Sequence, residues 1–217
     1  LSVTGSGADI WGSADEFHFA YRTLIGDGEL IARVTGLTNT DPNAKAGVMV
    51  RESLAANSRF GYMLMTPGSN GAAFQRRTTT GGAAGPSGST DKVSTLPRWV
   101  RIVRAGNVLS GYLSPDGLNW TLRSSVTLTS LPTTVYIGLA VTSHSAGTLS
   151  TGIFDNVSLV LPAADSTAPT LPSGLSATAQ RRNTLAPTVL VPTDIKPHGV
   201  AVADINGDGF PDIVTSN

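Results

Sequence analysis

Hydrophobic and polar residues alternate in short stretches along the chain from Leu1 to about Leu161. In segments such as Arg98–Arg104 and Val135–Thr142, successive side chains are assigned to opposite faces, which is the two-residue period of a half-buried β-strand. No apolar stripe with the helical period of about 3.6 residues continues through the chain. The pattern predicts strands at Ser2–Trp11, Phe17–Leu24, Glu29–Gly36, Ala46–Glu52, Phe60–Thr66, Ala72–Thr78, Arg98–Arg104, Val108–Ser114, Trp120–Val126, Val135–Thr142 and Gly152–Val160.

Turn-forming residues separate these segments, for example at Gly26–Gly28, Asp41–Asn43, Gly106–Asn107 and Ser114–Gly117. Many short strands at this spacing are typical of antiparallel sheets packed as a sandwich or barrel. We therefore predict an all-β fold, an antiparallel jelly-roll β-sandwich, followed by a linker and a short hairpin-like repeat fragment. The stretch Thr79–Asp91, rich in small residues, is predicted to be a long loop between strands.

The domain organisation follows from a change in composition after Leu161. Residues 1–161 are predicted to form the sandwich. Residues 162–190 are predicted to be a linker rich in Pro, Ser, Thr and Ala, and residues 191–217 a truncated repeat. The chain begins at Leu1 without a methionine and stops at Asn217 inside a strand-like run, so we expect further domains in the parent protein.

The amino-acid composition limits the kinds of partner that the chain can bind. Charged residues make up 14% of the 217 residues, and 15 basic residues balance 15 acidic ones, so the formal net charge is zero. This balance disfavours nucleic acid, because a phosphate backbone requires a positive surface. The chain has no cysteine, which excludes disulfides and thiolate metal sites, and no apolar run reaches the roughly 18–20 residues of a membrane span.

Residues 45–62, which begin Lys-Ala-Gly-Val-Met-Val-Arg-Glu-Ser-Leu, resemble a family of bacterial concanavalin A-like jelly-roll domains. Further matching segments are Gly5–Trp11, Ala73–Arg77, Trp99–Ile102, Ser114–Trp120 and Phe154–Val157. The resemblance implies a domain appended to secreted glycosidases or large cell-surface proteins, and hence a secreted or cell-surface location. It does not identify a ligand, because lectins, carbohydrate-binding modules, hydrolases and spacers share this fold.

Two further resemblances follow the sandwich. Thr167–Ala179 is similar to the first strand of a fibronectin type III domain. His198–Asn217 resembles one FG-GAP/VCBS repeat, the unit of integrin-like β-propellers. A complete propeller needs several such repeats.

The repeat contains the sharpest metal motif in the sequence. Oxygen-bearing side chains occupy alternate positions, as the oxygen ligands of Ca²⁺ require, and Gly207 and Gly209 permit a tight turn. The predicted ligands are the side chains of Asp204, Asn206, Asp208 and Asp212, with the carbonyl of Phe210 as a fifth oxygen. The alternative is an acidic turn that binds no ion.

Catalytic motifs are weaker. A glycosidase of this fold needs two carboxylates across one cleft, and the related glucanases place them at alternate positions of one strand. The strand acids here are Asp15-Glu16, Glu29 and Glu52, none of which forms such a run. None of the histidines lies in a nucleophile elbow. We therefore predict a non-catalytic protein.

Sugar binding requires hydrogen-bonding groups beside an aromatic ring. The predicted ligand-binding residues are Arg51, Tyr62, Gln75 and Arg77, which lie on three strands expected to be neighbours and can share one concave face. The structural alternatives are an ion pair of Arg51 with Glu52 and a core position for Tyr62.

The three tryptophans are predicted to lie in different surroundings. Trp99 is predicted to lie in the core, and Trp120 is predicted to pack its hairpin onto the sheet. Trp11, at the edge of the first strand, is left open between ligand contact and packing.

The sequence as a whole favours a non-catalytic carbohydrate-binding or adhesion module of a secreted multidomain protein, with a neutral polysaccharide or glycan as partner. A structural spacer that positions a propeller is the first alternative. A glycoside hydrolase with an unfamiliar site is the second.

Overall fold

A computed structural model of the chain describes residues 1–86, 88, 91–92, 95–161, 199–203 and 212–216. The described part is all-β and antiparallel, which confirms the fold class predicted from the sequence. It contains no helix long and apolar enough to span a membrane. The chain divides into two compact units, Leu1–Ser166 and Thr167–Asn217.

The first unit is a sandwich of two six-stranded sheets. The strands are β1 (Ser2–Gly7), β2 (Asp9–Trp11), β3 (Ala14–Glu16), β4 (His18–Ile25), β5 (Gly28–Leu37), β6 (Lys45–Arg51), β7 (Phe60–Met65), β8 (Ala72–Arg77), β9 (Gly85–Pro86), β10 (Arg98–Ala105), β11 (Val108–Ser114), β12 (Thr121–Thr127), β13 (Thr134–Thr142) and β14 (Ser145–Val160). The first sheet has the order β1-β14-β5-β10-β11-β12, and the second has the order β4-β13-β6-β7-β8-β9. Strands β2 and β3 form a separate hairpin.

The main core lies between the two sheets. Alternate residues of each strand point inward, so that Val48 and Val50 of β6 meet Val100 and Ile102 of β10 in one buried cluster. Strand β5 shows the period directly, because buried and half-buried residues alternate along most of its length. The alternation read from the sequence therefore placed these strands correctly.

The outer face of the second sheet carries a second, smaller core. Tyr62 and Leu64 of β7 point away from the main core and pack with Met49 and Phe60. Ile10 of the β2–β3 hairpin lies in the same cluster. The hairpin therefore covers part of a sheet face that would otherwise be exposed, and this explains why every residue of β6 and β7 is buried.

A buried carboxylate fastens the hairpin to the sheet. The Asp15 side chain on β3 lies between two guanidinium groups, with Arg77 Nη2 at 2.6 Å from Oδ1 and Arg51 Nη1 at 3.4 Å from Oδ2. All three side chains are at most 1% exposed. Burial raises the pKa of the Asp15 carboxyl, and hydrogen bonds and charge from Arg77 and then Arg51 oppose that rise.

This cluster corrects part of the sequence interpretation. Arg51, Tyr62 and Arg77 do share one face with Gln75, as expected from the strand pairing. That face is covered at Arg51, Tyr62 and Arg77, so these three side chains contact protein and not solvent. The suggested pair of Arg51 with Glu52 is not formed either, because Glu52 pairs with Arg59 at 2.6 Å.

The second unit contains one described hairpin, β15 (Gly199–Ala203) paired with β16 (Asp212–Ser216). Ala203 is the register partner of Asp212, so the two strands bring the ends of the intervening segment together. The predicted calcium ligands from Asp204 to Phe210, and the predicted linker 162–190, lie outside the described residues. Both stay predictions.

Replacement of the buried carboxylate tests its role. We expect Asp15→Asn to lower the free energy of unfolding by about 3–5 kcal/mol, because two buried guanidinium groups lose their countercharge. Urea denaturation followed by tryptophan fluorescence measures this change. Asp155→Asn is the control, since Asp155 pairs with Arg33 at the surface and its loss should hardly move the midpoint. Equal midpoints for the two variants would contradict the proposed role of Asp15.

Candidate ligand-binding groove

A groove opens on the outer face of the second sheet, beside the β2–β3 hairpin. It consists of two adjoining depressions of about 270 and 260 Å³, which share Trp11, Asn43, Lys45 and Gln75. One half adds Asp9 and His144 and is polar. The other half adds Leu64, Thr66, Asn70, Ala73, Pro86 and Lys92 and is more apolar.

The floor of the groove comes from the sheet itself. Lys45 begins β6 and Gln75 lies on β8, both on the outer face. The Lys45 ammonium is nearly buried and forms an ion pair with Asp9 of the hairpin. The groove floor therefore presents a positive group that is already neutralised.

Gln75 is the unusual residue of the floor. It is 7% exposed, and its Oε1 atom is buried without a hydrogen-bond partner. No hydrogen bond of the Gln75 side-chain amide is found among the described residues. A buried acceptor without a donor costs folding free energy of about 1–3 kcal/mol. Because this atom is buried, a molecule in the groove meets only the remaining surface of the Gln75 side chain.

Trp11 forms the wall contributed by the hairpin. Its side chain is 44% exposed, which is high for so large an apolar group. The next residue, Gly12, has φ of +56° and forms an isolated bridge with Ala84. The carbonyls of Trp11 and Gly12 accept hydrogen bonds from Arg77 Nη2 at 3.3 and 2.9 Å. The buried cluster under the hairpin therefore also positions the exposed indole.

His144 closes the polar half between two carboxylates. Its Nε2 lies 3.3 Å from Asp9 Oδ2, and its Nδ1 lies 3.0 Å from Asp41 Oδ1. The backbone amide of Asn43 also donates to Asp41 Oδ1 at 2.7 Å. This bond is the main reason that the pKa of the Asp41 carboxyl lies below its ordinary value.

Of the ligand-binding residues predicted from the sequence, the structure brings Gln75 into the groove. Arg51 is 1% exposed, and Tyr62 and Arg77 are 0% exposed. They form the support beneath the hairpin, and their side chains have no surface to offer a ligand. The Tyr62 hydroxyl instead donates to the carbonyl of Ala140 at 2.9 Å.

The sequence interpretation missed Asp9, Asn43, Lys45 and His144 as groove residues. They come from the first hairpin, the loop before β6, the start of β6 and the loop before β14, which are far apart in the chain. The residue with a usable signal was Trp11, a large aromatic residue beside a glycine at the end of a short strand. Trp99 and Trp120 are half-buried on the other sheet, where guanidinium groups lie over their rings.

One segment of the chain matches a known protein family. Residues 197–217 match the family described as FG-GAP repeat, in agreement with the resemblance read from the tail. A search of the curated proteins found no match.

Solved structures with a similar fold cover most of the sandwich. A functionally unknown protein from Saccharomyces cerevisiae is 19% identical with a TM-score of 0.58, over 75% of this chain and 89% of that one. The GH43 protein BlXynB from Bacillus licheniformis is 12% identical with a TM-score of 0.52, over 74% of this chain and 32% of that one. The carbohydrate-binding module CBM66 from Bacillus subtilis is 17% identical with a TM-score of 0.47, over 74% and 95%. At these identities the first two likenesses show the β-sandwich fold, and the finer concanavalin A-like assignment stays a prediction.

Removal of the orphan acceptor should affect stability in an unusual direction. We expect Gln75→Leu to raise the free energy of unfolding by about 1 kcal/mol, because a buried acceptor without a partner is replaced by an apolar group. The matched control is Thr66→Val in the same groove, since Thr66 Oγ1 donates to the carbonyl of Gly71 at 2.9 Å. That variant should lose about 1 kcal/mol. Urea denaturation measures both, and a destabilised Gln75→Leu would mean that Gln75 has a structural role.

Proposed function

We propose that residues 1–161 form a non-catalytic carbohydrate-binding module that holds a neutral glycan in this groove. The observation that carries the proposal is the exposed indole of Trp11 at the wall of a groove lined by the amide side chains of Asn43, Asn70 and Gln75. Sugar hydroxyls hydrogen-bond with the polar side chains that line the groove. The apolar face of the same sugar ring packs on the indole.

The remaining groove residues fit a hydroxyl-rich ligand. Asn43 and Asn70 are joined by a hydrogen bond of 2.7 Å at the apolar half, and each amide offers both donors and acceptors. Each half is below the range of about 300–1,000 Å³ typical of pockets for drug-sized ligands. A short segment of an oligosaccharide, bound across both halves, is the ligand of suitable size and chemistry.

The charges of the polar half favour an uncharged ligand there, while Lys92 lines the other half. Asp9 and Lys45 neutralise each other. A carboxylated sugar would have to approach Asp9, and a cationic sugar would have to approach Lys45. Neutral hydroxyls avoid both unfavourable contacts.

The two alternatives fit the groove less well. Of the described residues that line it, Asp9 is the only acid, whereas glycoside hydrolysis ordinarily uses two carboxyl groups. A spacer would have a shallow or glycine-filled face, and no glycine is among those described lining residues. We also propose that the module works outside the cell or at its surface, where glycan polymers occur.

For the tail we propose Ca²⁺ binding by Asp204, Asn206, Asp208, Asp212 and the Phe210 carbonyl. The FG-GAP match at residues 197–217 and the pairing of Ala203 with Asp212 support this proposal. The paired strands bring the ends of the segment together, as a loop that surrounds an ion requires.

Binding of polysaccharides tests the module. We expect the chain to bind at least one of xylan, mannan, β-1,4-glucan and levan in affinity electrophoresis and calorimetry. Trp11→Ala should weaken that binding at least tenfold, about 1.4 kcal/mol, because the stacking surface is lost. Tyr21→Ala is the control, since Tyr21 is 46% exposed on a strand outside the groove.

Three outcomes would contradict the proposal. Absence of binding to every polymer would favour the spacer. Equal binding by Trp11→Ala and the unmutated chain would place the site elsewhere. Release of reducing sugars from a bound polymer would favour the hydrolase.

The calcium proposal has its own test. Calcium should protect residues 198–217 from protease in the unmutated chain, and Asp208→Ala should abolish that protection, because an anionic ligand is removed. Mass spectrometry of the fragments identifies the cleaved bonds. The same cleavage with and without calcium in the unmutated chain would contradict the proposal.

A further inference from the structure

The polar end of the groove contains a hydrogen-bonding arrangement that a single proton can change. Asp9 Oδ1 already accepts from the Ile10 amide at 2.7 Å and from the Lys45 ammonium. Asp9 Oδ2 has one close partner among the described residues, His144 Nε2 at 3.3 Å. This oxygen is therefore the acceptor that Asp9 can still offer.

The imidazole of His144 has a carboxylate opposite each of its nitrogens. Only the imidazolium can donate to Asp9 and Asp41 at the same time, because the neutral ring carries a single N–H. In the neutral ring, the N–H is expected on Nδ1, which lies closer to its carboxylate at 3.0 Å. The Nε2 lone pair then faces Asp9 Oδ2, and two acceptors lie 3.3 Å apart without a donor between them.

The backbone fixes this placement. His144 has φ of +56°, in the left-handed region that few residues other than glycine adopt. The preceding Ser143 holds the turn, because its hydroxyl donates to the carbonyl of Ser145 at 2.7 Å and accepts from the Ser145 amide at 3.2 Å. Backbone strain of this kind persists where the surroundings hold it, and it is concentrated at functional sites.

We propose that neutral His144 and Asp9 together bind two adjacent hydroxyls of a sugar, and that protonation of His144 closes this end of the groove. The inference rests on the proposed glycan-binding function and specifies its ligand as a glycan with a free vicinal diol. One hydroxyl donates to Asp9 Oδ2 and its neighbour donates to His144 Nε2. Protonation converts His144 Nε2 from an acceptor into a donor. The new N–H then donates to Asp9 Oδ2, so neither atom is free to accept from the sugar.

Two acids and one lysine surround this arrangement among the residues that the structure describes. The charged groups that the described residues place against His144 are Asp9 on β2 and Asp41 in the loop before β6, and Lys45 on β6 contacts Asp9. The pKa of Asp41 lies below its ordinary value, so this group stays ionised from pH 5 to pH 8. Histidine is the side chain that ordinarily changes charge in that interval.

The test measures the affinity of the bound polysaccharide from pH 5 to pH 8 in the unmutated chain and in His144→Asn. Asparagine tolerates the left-handed backbone and does not titrate. We expect the affinity of the unmutated chain to fall about tenfold from pH 8 to pH 5, since a hydrogen bond to a charged group is lost. The affinity of His144→Asn should stay within about twofold over the same range. His18→Asn, on strand β4, should keep the fall.

The polymer chemistry supplies a second readout. Internal residues of β-1,4-glucan and xylan carry adjacent free hydroxyls, whereas those of β-1,3-glucan do not. We expect β-1,3-glucan to bind the unmutated chain about tenfold more weakly than these polymers at pH 8, because the same contacts are missing. Binding of β-1,3-glucan as tight as that of the other polymers would overturn the diol assignment.

The outcomes separate this inference from the proposed function. Binding that depends on Trp11 but is equal at pH 5 and pH 8 would overturn the role of His144 and leave the glycan module in place. A pH-dependent fall that persists in His144→Asn would do the same. Absence of binding to every polymer at every pH would overturn both proposals.

Discussion

The groove depends on one buried ionic contact, in which Asp15 is held between Arg51 and Arg77. A carboxylate and two guanidinium groups are costly to bury, and the cost is offset only when their hydrogen-bonding capacity is filled. Here Arg51 also donates to the Ser53 and Ala55 carbonyls, and Arg77 donates to the carbonyls of Gly12, Ala56, Ser58 and Gly82. The contact thereby joins the β2–β3 hairpin to the sheet and to the loops beside it. Because the hairpin covers the outer face at this end, the open part of that face is reduced to a groove with Trp11 at its edge.

Most of the sandwich could be predicted from the sequence because alternation is a local signal. The predicted strands agree with the observed ones to within a few residues for β4–β8 and β10–β13. The short strands β3 and β9 were missed, since two or three residues show no period. Strand β14 begins earlier than expected, at Ser145. The stretch from Ser145 to Ser150 is rich in small and polar residues, so it lacks the apolar alternation by which the rest of the strand was recognised.

The candidate site was harder to predict because its residues meet only through long-range contacts. The strand pairing correctly indicated that Arg51, Tyr62, Gln75 and Arg77 share a face. What covers that face is decided by Asp15, which lies 36 residues from Arg51 and 62 from Arg77 in sequence. The alternation of hydrophobic and polar residues within a strand carries no information about a contact between residues so far apart in sequence. The two arginines that were predicted as ligands therefore hold the hairpin instead, and Gln75 on the same face lines the groove while it stays largely buried.

Three features of the groove act against folding stability in the absence of a ligand. Gln75 buries an acceptor without a donor, and His144 adopts a left-handed backbone between two acids. Trp11 exposes nearly half of the largest apolar side chain type. Features of this kind also occur elsewhere in the described residues, for example the left-handed backbone of Ser130 and Asn156 and the exposed side chains of Ile25 and Leu118. At the groove, however, all three lie together, and the hairpin that carries Trp11 is fastened to the sheet by the buried ionic cluster. This is the pattern expected where stability has been exchanged for binding. A ligand with hydroxyl groups and an apolar ring face covers the indole and hydrogen-bonds with the polar side chains of the groove at once.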